Sequence, residues 1–329
     1  MSYDALQEVY DAQLLKKMYY YIVLTRSLEN KISYICHSQN SKSPMIIGKG
    51  YLSTGQEAIS VGACLALEDG DWLAPSHRDI GGMMVRGLTL EQIFLQYFCR
   101  VTSPTAGRDG NVHLGDTSKH ILSFISHMGS IIAAGLGVAA AIQYREEKNV
   151  VLACFGDGAS SQGVIHESMN YASVFKMPMV FVVNNNRYAI STSTKNQMAI
   201  ENIAERAAGY GMPGVVVDGN HVTEVYQAVK KAVEAARAGN GPSLIECKTM
   251  RMCGHGTHDP ANYVPKQELE EWKQKDPMTW FQNELLQSQV MKSDDIKSIQ
   301  DQIDHEIEEA IEKARLAPVP QGEDLLRER

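Results

Sequence analysis

The sequence lacks the features that would place it among disulfide-rich, membrane or nucleic-acid-binding proteins. Its six cysteines show no C-x-x-C spacing, so we expect reduced thiols and no disulfide framework. There is no apolar stretch of membrane-spanning length and no recognisable secretory or transit signal, and we therefore expect a cytoplasmic protein with no membrane partner. A net charge of −8 argues against nonspecific binding to nucleic acid.

Common nucleotide-binding signatures are also missing. No G-x-x-x-x-G-K-[ST] phosphate loop occurs. The pattern Gly135-x-Gly137 is superficially similar to a dinucleotide fingerprint. No strand directly precedes it, however, and no suitably placed acid follows to hold a ribose. These absences disfavour a nicotinamide site.

The composition supports a large buried core. Hydrophobic residues make up 44% of the 329 residues, enough for one large α/β domain or two small ones. We expect a single domain over residues 1–329, with an N-terminal helical extension (about 1–50) and a C-terminal helical tail (about 265–329). Apolar residues at helical spacing predict helices over 11–34, 88–99, 129–144, 203–210 and 222–237, and another capped by Asp294 whose isoleucine stripe packs on the domain.

The most informative pattern lies in residues 151–193, which read VLACFGDGASSQGVIHESMNYASVFKMPMVFVVNNNRYAISTS. The apolar run 151–155 predicts a buried strand, 159–175 a helix, and 179–183 a second strand that ends at the three asparagines. A strand-helix-strand unit of this kind has parallel strands and a right-handed crossover. Further strands predicted over 214–218 and 243–248 extend it into a three-layer, doubly wound α/β fold.

Polar side chains follow the two central strands where each ends. Because parallel strands end at the same edge of a sheet, Asp157 and Asn186 should face each other where open α/β sheets bind ligands. A carboxylate, an amide oxygen and nearby backbone carbonyls suit Mg²⁺ or Ca²⁺ better than zinc. Gly158 would allow close approach of a ligand, and the start of the following helix would favour an anion. Together these groups suggest a metal–diphosphate site.

The same residues carry a family resemblance. The order G-D-G, helix, apolar strand, N-N resembles the thiamine diphosphate signature, and N-N-R-Y-A-I-S-T-S is similar to the alpha subunit of the first component of 2-oxoacid dehydrogenases. The family includes pyruvate, branched-chain 2-oxoacid and acetoin dehydrogenases. The resemblance implies thiamine diphosphate and Mg²⁺ as cofactors, with Asp157, Asn186 and the backbone oxygen of Tyr188 as metal ligands. G-D-G alone would favour a plain turn, but the second half of the motif reverses that preference.

Other segments extend the resemblance over nearly the whole chain. It places His77 and Arg78 at the cofactor diphosphate, with His77 standing where tyrosine is common in pyruvate and branched-chain members. It places Ser126 and Met128 at the aminopyrimidine ring. His255 corresponds to a histidine in a mobile loop that contacts the diphosphate, where imidazole can donate a hydrogen bond or act as a catalytic proton shuttle. The remaining expected cofactor contacts are Gly156, Asp157, Gly158, Ala159, Asn186 and Tyr188.

Three other segments allow more than one interpretation. The segment 107–113, predicted to be extended, matches the family's G-[KR]-x-x-x-x-H and is either a wall of the active site or a structural loop. Glu57, in G-Q-E-A, is interpreted as a partner of a helix dipole and not as a catalytic acid. His255, His258 and Asp259 could be zinc ligands, but no ordered element fixes their spacing and no cysteine pair joins them.

The resemblance implies an activity shared between chains. With a beta subunit, the protein would decarboxylate a 2-oxoacid, pyruvate being the first choice, and acylate a lipoyl group on an acyltransferase. The cofactor performs the carbon chemistry. The family's activating glutamate lies on the beta subunit, so the site should form between chains, in an assembly of two alpha and two beta chains. Branched-chain 2-oxoacids and acetoin remain alternative substrates. A nucleotide-binding enzyme and a noncatalytic scaffold subunit are the alternatives from other classes.

Overall fold

A five-stranded parallel sheet carries the fold in the computed structural model, which describes residues 10–38, 45, 46 and 48–326. Its strands run in the order β1-β2-β3-β7-β6. The strands are β1 Trp72–Ala74, β2 Val151–Gly156, β3 Met179–Asn185, β6 Gly214–Asp218 and β7 Ser243–Lys248, and a separate antiparallel pair comprises β4 Tyr188–Ala189 and β5 Thr192–Ser193. The predicted parallel α/β sheet is confirmed.

Helices flank this sheet and extend from it. In chain order they are α1 Ala12–Ser38, α2 Glu57–Leu65, α3 Ile80–Val85, α4 Leu90–Tyr97, α5 Ser130–Tyr144, α6 Gly163–Val174, α7 Thr194–Gln197, α8 Val222–Arg237, α9 Lys266–Lys273, α10 Pro277–Gln287 and α11 Ser293–Leu316. Residues 1–9 of the predicted N-terminal extension, and part of the loop between α1 and α2, lie outside the described residues.

The central strands are buried on both faces, which makes the fold three layers thick. In β2, Leu152 and Cys154 belong to one hydrophobic core, whereas Val151, Ala153 and Phe155 belong to the other. The first core contains side chains from α1, α2, α8 and α11, and the second contains side chains from α5 and α6. Successive side chains of a strand point to opposite faces, so a strand covered on both sides is apolar throughout. This explains the uninterrupted apolar runs in the sequence.

Several predicted boundaries were wrong. The segment 159–175, predicted to be one helix, consists of a 3₁₀ turn, Ala159–Ser161, and the helix α6. The two are separated by Gln162, whose backbone is extended. Strand β3 does not stop at the first asparagine, because Asn184 and Asn185 pair with Cys247 and Lys248 of β7. Pairing with a central strand here outweighs the low strand propensity of asparagine. The helix predicted over 203–210 is 3₁₀ in type.

The C-terminal helix α11 packs on the domain as predicted. Ile303 and Ile307 are buried in the first core, and Ile296, Ile299 and Ile311 pack partly against it. The helix begins at Ser293, so Asp294 lies in its first turn and is not its cap. An acidic residue in that position still interacts favourably with the helix dipole.

A buried ion-pair network joins α1, α2 and α10. Arg26 is hydrogen-bonded to Glu57 through Nε, and its Nη1 and Nη2 donate to both carboxylate oxygens of Asp276 at 3.0 and 3.1 Å. Glu57 is fully buried and also accepts the backbone N–H of Gly55 at 3.0 Å. Glu57 therefore has a structural role. Its main partner is the guanidinium of Arg26, whereas the prediction named the helix dipole.

Replacing Arg26 by alanine should destabilise the fold by about 3–5 kcal/mol, because it leaves the carboxylate of Glu57 buried without its counter-charge. Urea unfolding followed by circular dichroism measures the change. Arg315→Ala is the matched control, since Arg315 forms an ion pair with Glu312 in which both side chains are more than half exposed, and such pairs contribute little. Equal effects of the two substitutions would contradict the assigned role of Arg26.

Candidate cofactor-binding site

A cavity of about 400 Å³ lies at the edge of the sheet where β2 and β3 end. The eleven residues predicted to bind the cofactor all line it: His77, Arg78, Ser126, Met128, Gly156, Asp157, Gly158, Ala159, Asn186, Tyr188 and His255. Three further residues that the sequence patterns did not indicate, Ala189, Ile190 and Arg251, complete its lining. The structure thus gathers segments far apart in sequence around one space, and their individual roles remain predictions.

Three oxygen atoms converge at the inner end of this cavity. The side-chain oxygen of Asn186 is 3.1 Å from the carbonyl oxygen of Tyr188 and 3.2 Å from Oδ1 of Asp157. In this orientation the Asn186 amide donates to Oε1 of Gln56 at 2.9 Å. Turning the amide by 180° would instead direct its N–H groups at the other two oxygens. A hard cation between the three oxygens would favour the first orientation, because it would replace repulsion between lone pairs by coordination.

The carboxyl group of Asp157 is held away from water. The residue is 1% exposed, and burial raises the pKa of its carboxyl group. Its Oδ2 accepts a hydrogen bond from Nε2 of Gln197 at 2.8 Å, which leaves Oδ1 facing Asn186. A buried carboxylate is stabilised by a nearby positive charge. The donor set, one carboxylate and two neutral oxygens, therefore fits Mg²⁺.

Arg251 is a residue of this site that sequence reasoning missed. It is buried, and its guanidinium donates to the carbonyl oxygens of Tyr188 at 3.0 Å and Ile190 at 2.6 Å. It also donates to the hydroxyl of Tyr263 at 2.6 Å. Arg251 follows β7, the strand adjacent to β3, so its position just past a strand end was the available signal. Its bonds fix the backbone that carries the predicted ligand Tyr188.

A second cationic group, Arg78, also lines the cavity. Arg78 is buried and donates to the carbonyl oxygens of Leu52 and of His255, the latter at 2.7 Å. Burial lowers the pKa of Arg78 to about 10, which still leaves it charged at neutral pH. Burial, together with Arg78 and Arg251, lowers the pKa of His255 to about 4. In the absence of an anion, His255 is therefore a neutral imidazole beside two guanidinium groups.

His77 has ring nitrogens without protein partners. Neither Nδ1 nor Nε2 has a hydrogen-bond partner or measurable exposure. Burial is the main cause that lowers the pKa of the ring well below its usual value, and the positive charge of Arg78 is the second. The ring packs edge-on against Tyr51 and lies 5.5 Å from the ring of Phe124. Buried polar atoms are ordinarily hydrogen-bonded, so this imidazole is a candidate for contact with a bound ligand.

The turn after β3 explains the glycine at position 158. A Cβ atom there would lie 2.6 Å from the Cβ of Ala189. The glycine is thus needed for close approach of the Arg187–Ile190 turn, where Arg187 and Ile190 both have positive φ. Ala159, the predicted helix start, lines the cavity but belongs to the 3₁₀ turn, and α6 begins only at Gly163, outside the lining.

Two alternatives from the sequence find no support. Among the described residues, no group of three histidine, cysteine or acidic side chains could hold a metal ion, which argues against a zinc site at His255, His258 and Asp259. The segment 107–113, predicted to be extended, is irregular, with a turn at Gly107 and bends at Arg108, Asn111 and Val112. A search of the described residues for helices with the length and apolarity of a membrane span found none.

Comparison with known proteins identifies the family. The model of the dehydrogenase E1 component family matches residues 24–323. The chain belongs to this family. It is 36% identical over 310 residues to the alpha subunit of acetoin:2,6-dichlorophenolindophenol oxidoreductase of Bacillus subtilis, covering 94% of this chain and 91% of the relative.

Two further relatives carry different substrate names. The 2-oxoisovalerate dehydrogenase alpha subunit of B. subtilis is 35% identical over 94% of this chain and 93% of its own length. The pyruvate dehydrogenase E1 alpha subunit of Rhizobium meliloti is 34% identical over 94% of this chain and 88% of its own length. The predicted membership of the E1 alpha family is confirmed. Family members are thiamine diphosphate-dependent oxidoreductases with Mg²⁺ as the usual metal. Such similar identities do not decide the substrate.

The low pKa of His255 predicts an effect on stability below pH 6.5. Between about pH 4 and pH 6.5 the unfolded chain binds a proton at this histidine that the folded chain does not, so stability falls as the pH falls through this window. His255→Asn should therefore lose less stability than the wild type on acidification. Thermal unfolding at a series of pH values tests this, with His305→Asn on an exposed part of α11 as control. Parallel curves for wild type and His255→Asn would refute the assignment.

Proposed function

We propose that this chain binds Mg²⁺–thiamine diphosphate in the cavity and, with a beta subunit, decarboxylates a small 2-oxoacid and transfers the acyl group to a lipoyl group. When bound, thiamine diphosphate supplies the nucleophile and electron sink for the carbon chemistry. The contribution of this chain is to bind and orient the cofactor. The convergence of the oxygens of Asp157, Asn186 and Tyr188 next to Arg78 and His255 is the observation that carries this proposal.

The metal would be held by the carboxylate of Asp157, the side-chain oxygen of Asn186 and the backbone oxygen of Tyr188. Mg²⁺ is usually bound by one or two carboxylates together with substrate phosphates. The protein provides a single carboxylate here, because Asp157 is the only acidic residue among the described residues that line the cavity. The remaining coordination positions are thus available to phosphate oxygens and water.

Arg78 and His255 would bind the diphosphate. A buried guanidinium offers planar donors and a charge that persists at neutral pH, and Arg78 already bonds to the loop that carries His255. An anion beside His255 would raise its pKa from about 4. The imidazole could then donate a hydrogen bond, or hold a proton, at the diphosphate end of the cavity.

The ring end of the site is incomplete within this chain. The lining described here contains no second acid that could activate a pyrimidine ring. Ser126 and two large apolar side chains of the lining, Met128 (41%) and Ile190 (59%), are exposed. Exposed apolar patches mark interaction sites. We infer that a beta subunit covers this opening and supplies the acid, in an assembly of two alpha and two beta chains that acts with a lipoyl-bearing acyltransferase in the cytoplasm.

Pyruvate is the proposed substrate. The segment G-Q-E-A and Asp157 resemble the pyruvate members of the family. Acetoin is the second candidate, because a relative named for acetoin is 36% identical to this chain. Steady-state assays of the alpha–beta complex with pyruvate, acetoin and 2-oxoisovalerate, using an artificial electron acceptor, distinguish these candidates. A preference for 2-oxoisovalerate would overturn both.

Asp157→Ala should weaken binding of thiamine diphosphate in the presence of Mg²⁺ by roughly a hundredfold or more, since loss of even an outer-shell partner of a metal costs 10–100-fold. Titration calorimetry of the alpha–beta complex measures this. Asp301→Ala, which removes an exposed acid of α11, should retain wild-type affinity. Unchanged affinity in Asp157→Ala would rule out the proposed metal site.

The isolated alpha chain should bind thiamine diphosphate weakly and should not decarboxylate pyruvate, because the open cavity leaves the electrostatic contacts in water. Adding the cognate beta chain should restore both binding and turnover. The isolated chain should also self-associate through its exposed apolar surface, which size-exclusion chromatography with light scattering detects. Full turnover by the alpha chain alone would show that the site does not need a second subunit.

A further inference from the structure

A chain of hydrogen bonds leads from Asp109 through His113 to the hydroxyl of Ser126. Oδ2 of Asp109 is 2.7 Å from Nδ1 of His113, and Nε2 of His113 is hydrogen-bonded to Oγ of Ser126. Only the last member, Ser126, lines the cofactor cavity. The proposed function assigns no role to Asp109 or His113.

The surroundings hold this chain of bonds in one orientation. The other carboxylate oxygen of Asp109 accepts the backbone N–H of Asn111 at 2.7 Å, and the backbone carbonyl of Asp109 accepts from Nε2 of Gln96 at 3.0 Å. The ring of His113 stacks on Phe124 with an interplanar angle of 29°. The imidazole is therefore fixed by a hydrogen bond at one nitrogen and by packing on one face.

The chemistry of the carboxylate decides where the protons lie. An ionised Asp109 can only accept, so Nδ1 of His113 must carry its hydrogen, and in the neutral ring Nε2 is then an acceptor. Ser126 must donate its hydroxyl hydrogen to Nε2. The lone pairs of Ser126 Oγ are left for the cavity, where they can accept a hydrogen bond. With the opposite tautomer, Ser126 would accept from His113 and present a hydrogen to the cavity instead.

We propose that Asp109 and His113 are positioning residues that fix Ser126 as a hydrogen-bond acceptor for an N–H or O–H group of the bound ligand. This inference rests on the proposed function, in which the donor is either an amino group of the cofactor ring or a hydroxyl group of the substrate. Asp109 acts at a distance from the ligand by selecting the tautomer of His113. Outer partners of this kind fix ligand-binding groups in other sites.

The test compares Asp109→Asn, Ser126→Ala and the double variant in the alpha–beta complex. An asparagine can donate to Nδ1 and so admits the wrong tautomer, and each single variant should reduce cofactor affinity or kcat/KM by about tenfold to a hundredfold. The double variant should be no worse than Ser126→Ala, because both changes remove the same contact. Asp109→Glu, which keeps the carboxylate, should restore part of the loss. Calorimetry gives the Kd for thiamine diphosphate with Mg²⁺, and steady-state kinetics give KM and kcat.

The two possible donors give different results. A higher Kd for thiamine diphosphate in the absence of substrate assigns the donor to the cofactor, whereas an unchanged Kd with a lower kcat/KM assigns it to the substrate. Glu224→Gln is the matched control, because Glu224 forms a comparable contact with His221, 3.1 Å away, outside the cavity lining. It should change neither quantity. Thermal unfolding confirms that each variant is folded.

Two results would overturn the inference. One is wild-type Kd and kcat/KM in Asp109→Asn, and the other is a double variant whose loss is the product of the single losses. A wild-type complex that does not bind thiamine diphosphate would overturn the proposed function and this inference with it. Normal binding and turnover in the wild type, unchanged by Asp109→Asn, would overturn the inference alone.

Discussion

The candidate site depends on one carboxylate, that of Asp157, buried just beyond the end of a parallel strand. Gly156 of β2 lies opposite Asn184 of β3, and this register brings Asp157 next to Asn186 just beyond the strand ends. A shift in register would separate the two side chains and reverse the faces of the surrounding core residues. The two hydrophobic cores that fix the sheet therefore also fix the distances within the site.

The two ends of the cavity differ in how complete they are. At the inner end, Asp157, Asn186, Tyr188, Arg78 and Arg251 are buried, and Arg251 donates a hydrogen bond to the backbone oxygen of Tyr188. At the outer end, Ser126 and Met128 are exposed. Such a site combines preorganised electrostatics for a charged group with an open side for a reacting group. This division is consistent with a chain that positions the charged end of a cofactor and depends on a second chain both for tight binding and for chemistry.

The sequence allowed prediction of the features that depend on local pattern. Apolar runs located the strands, and residues just past strand ends, such as Asp157 and Asn186, were found from the rule that parallel strands end together. Family motifs located Arg78, Ser126 and His255. Together they gave all the residues found to line the cavity except Ala189, Ile190 and Arg251.

Features that depend on contacts between distant segments could not be predicted in this way. Arg251 shows no motif of its own, and its role follows only from bonds to the turn after β3. The chain of hydrogen bonds from Asp109 through His113 to Ser126 depends on the contact between two loops. The extension of β3 through Asn185 depends on pairing with β7, a strand that comes later in the chain. In each case the deciding partner is remote in sequence, so neither propensity nor spacing reports it.

The most direct measurement is anomalous diffraction from crystals of the alpha–beta complex grown with thiamine diphosphate and Mn²⁺, an ion that also prefers oxygen ligands. We expect one anomalous peak per alpha chain, coordinated by the carboxylate of Asp157, the side-chain oxygen of Asn186 and the backbone oxygen of Tyr188. The amide nitrogen of Asn186 should be directed at Gln56. A peak elsewhere in the cavity, or an Asn186 nitrogen directed at Asp157 with no metal between them, would contradict it.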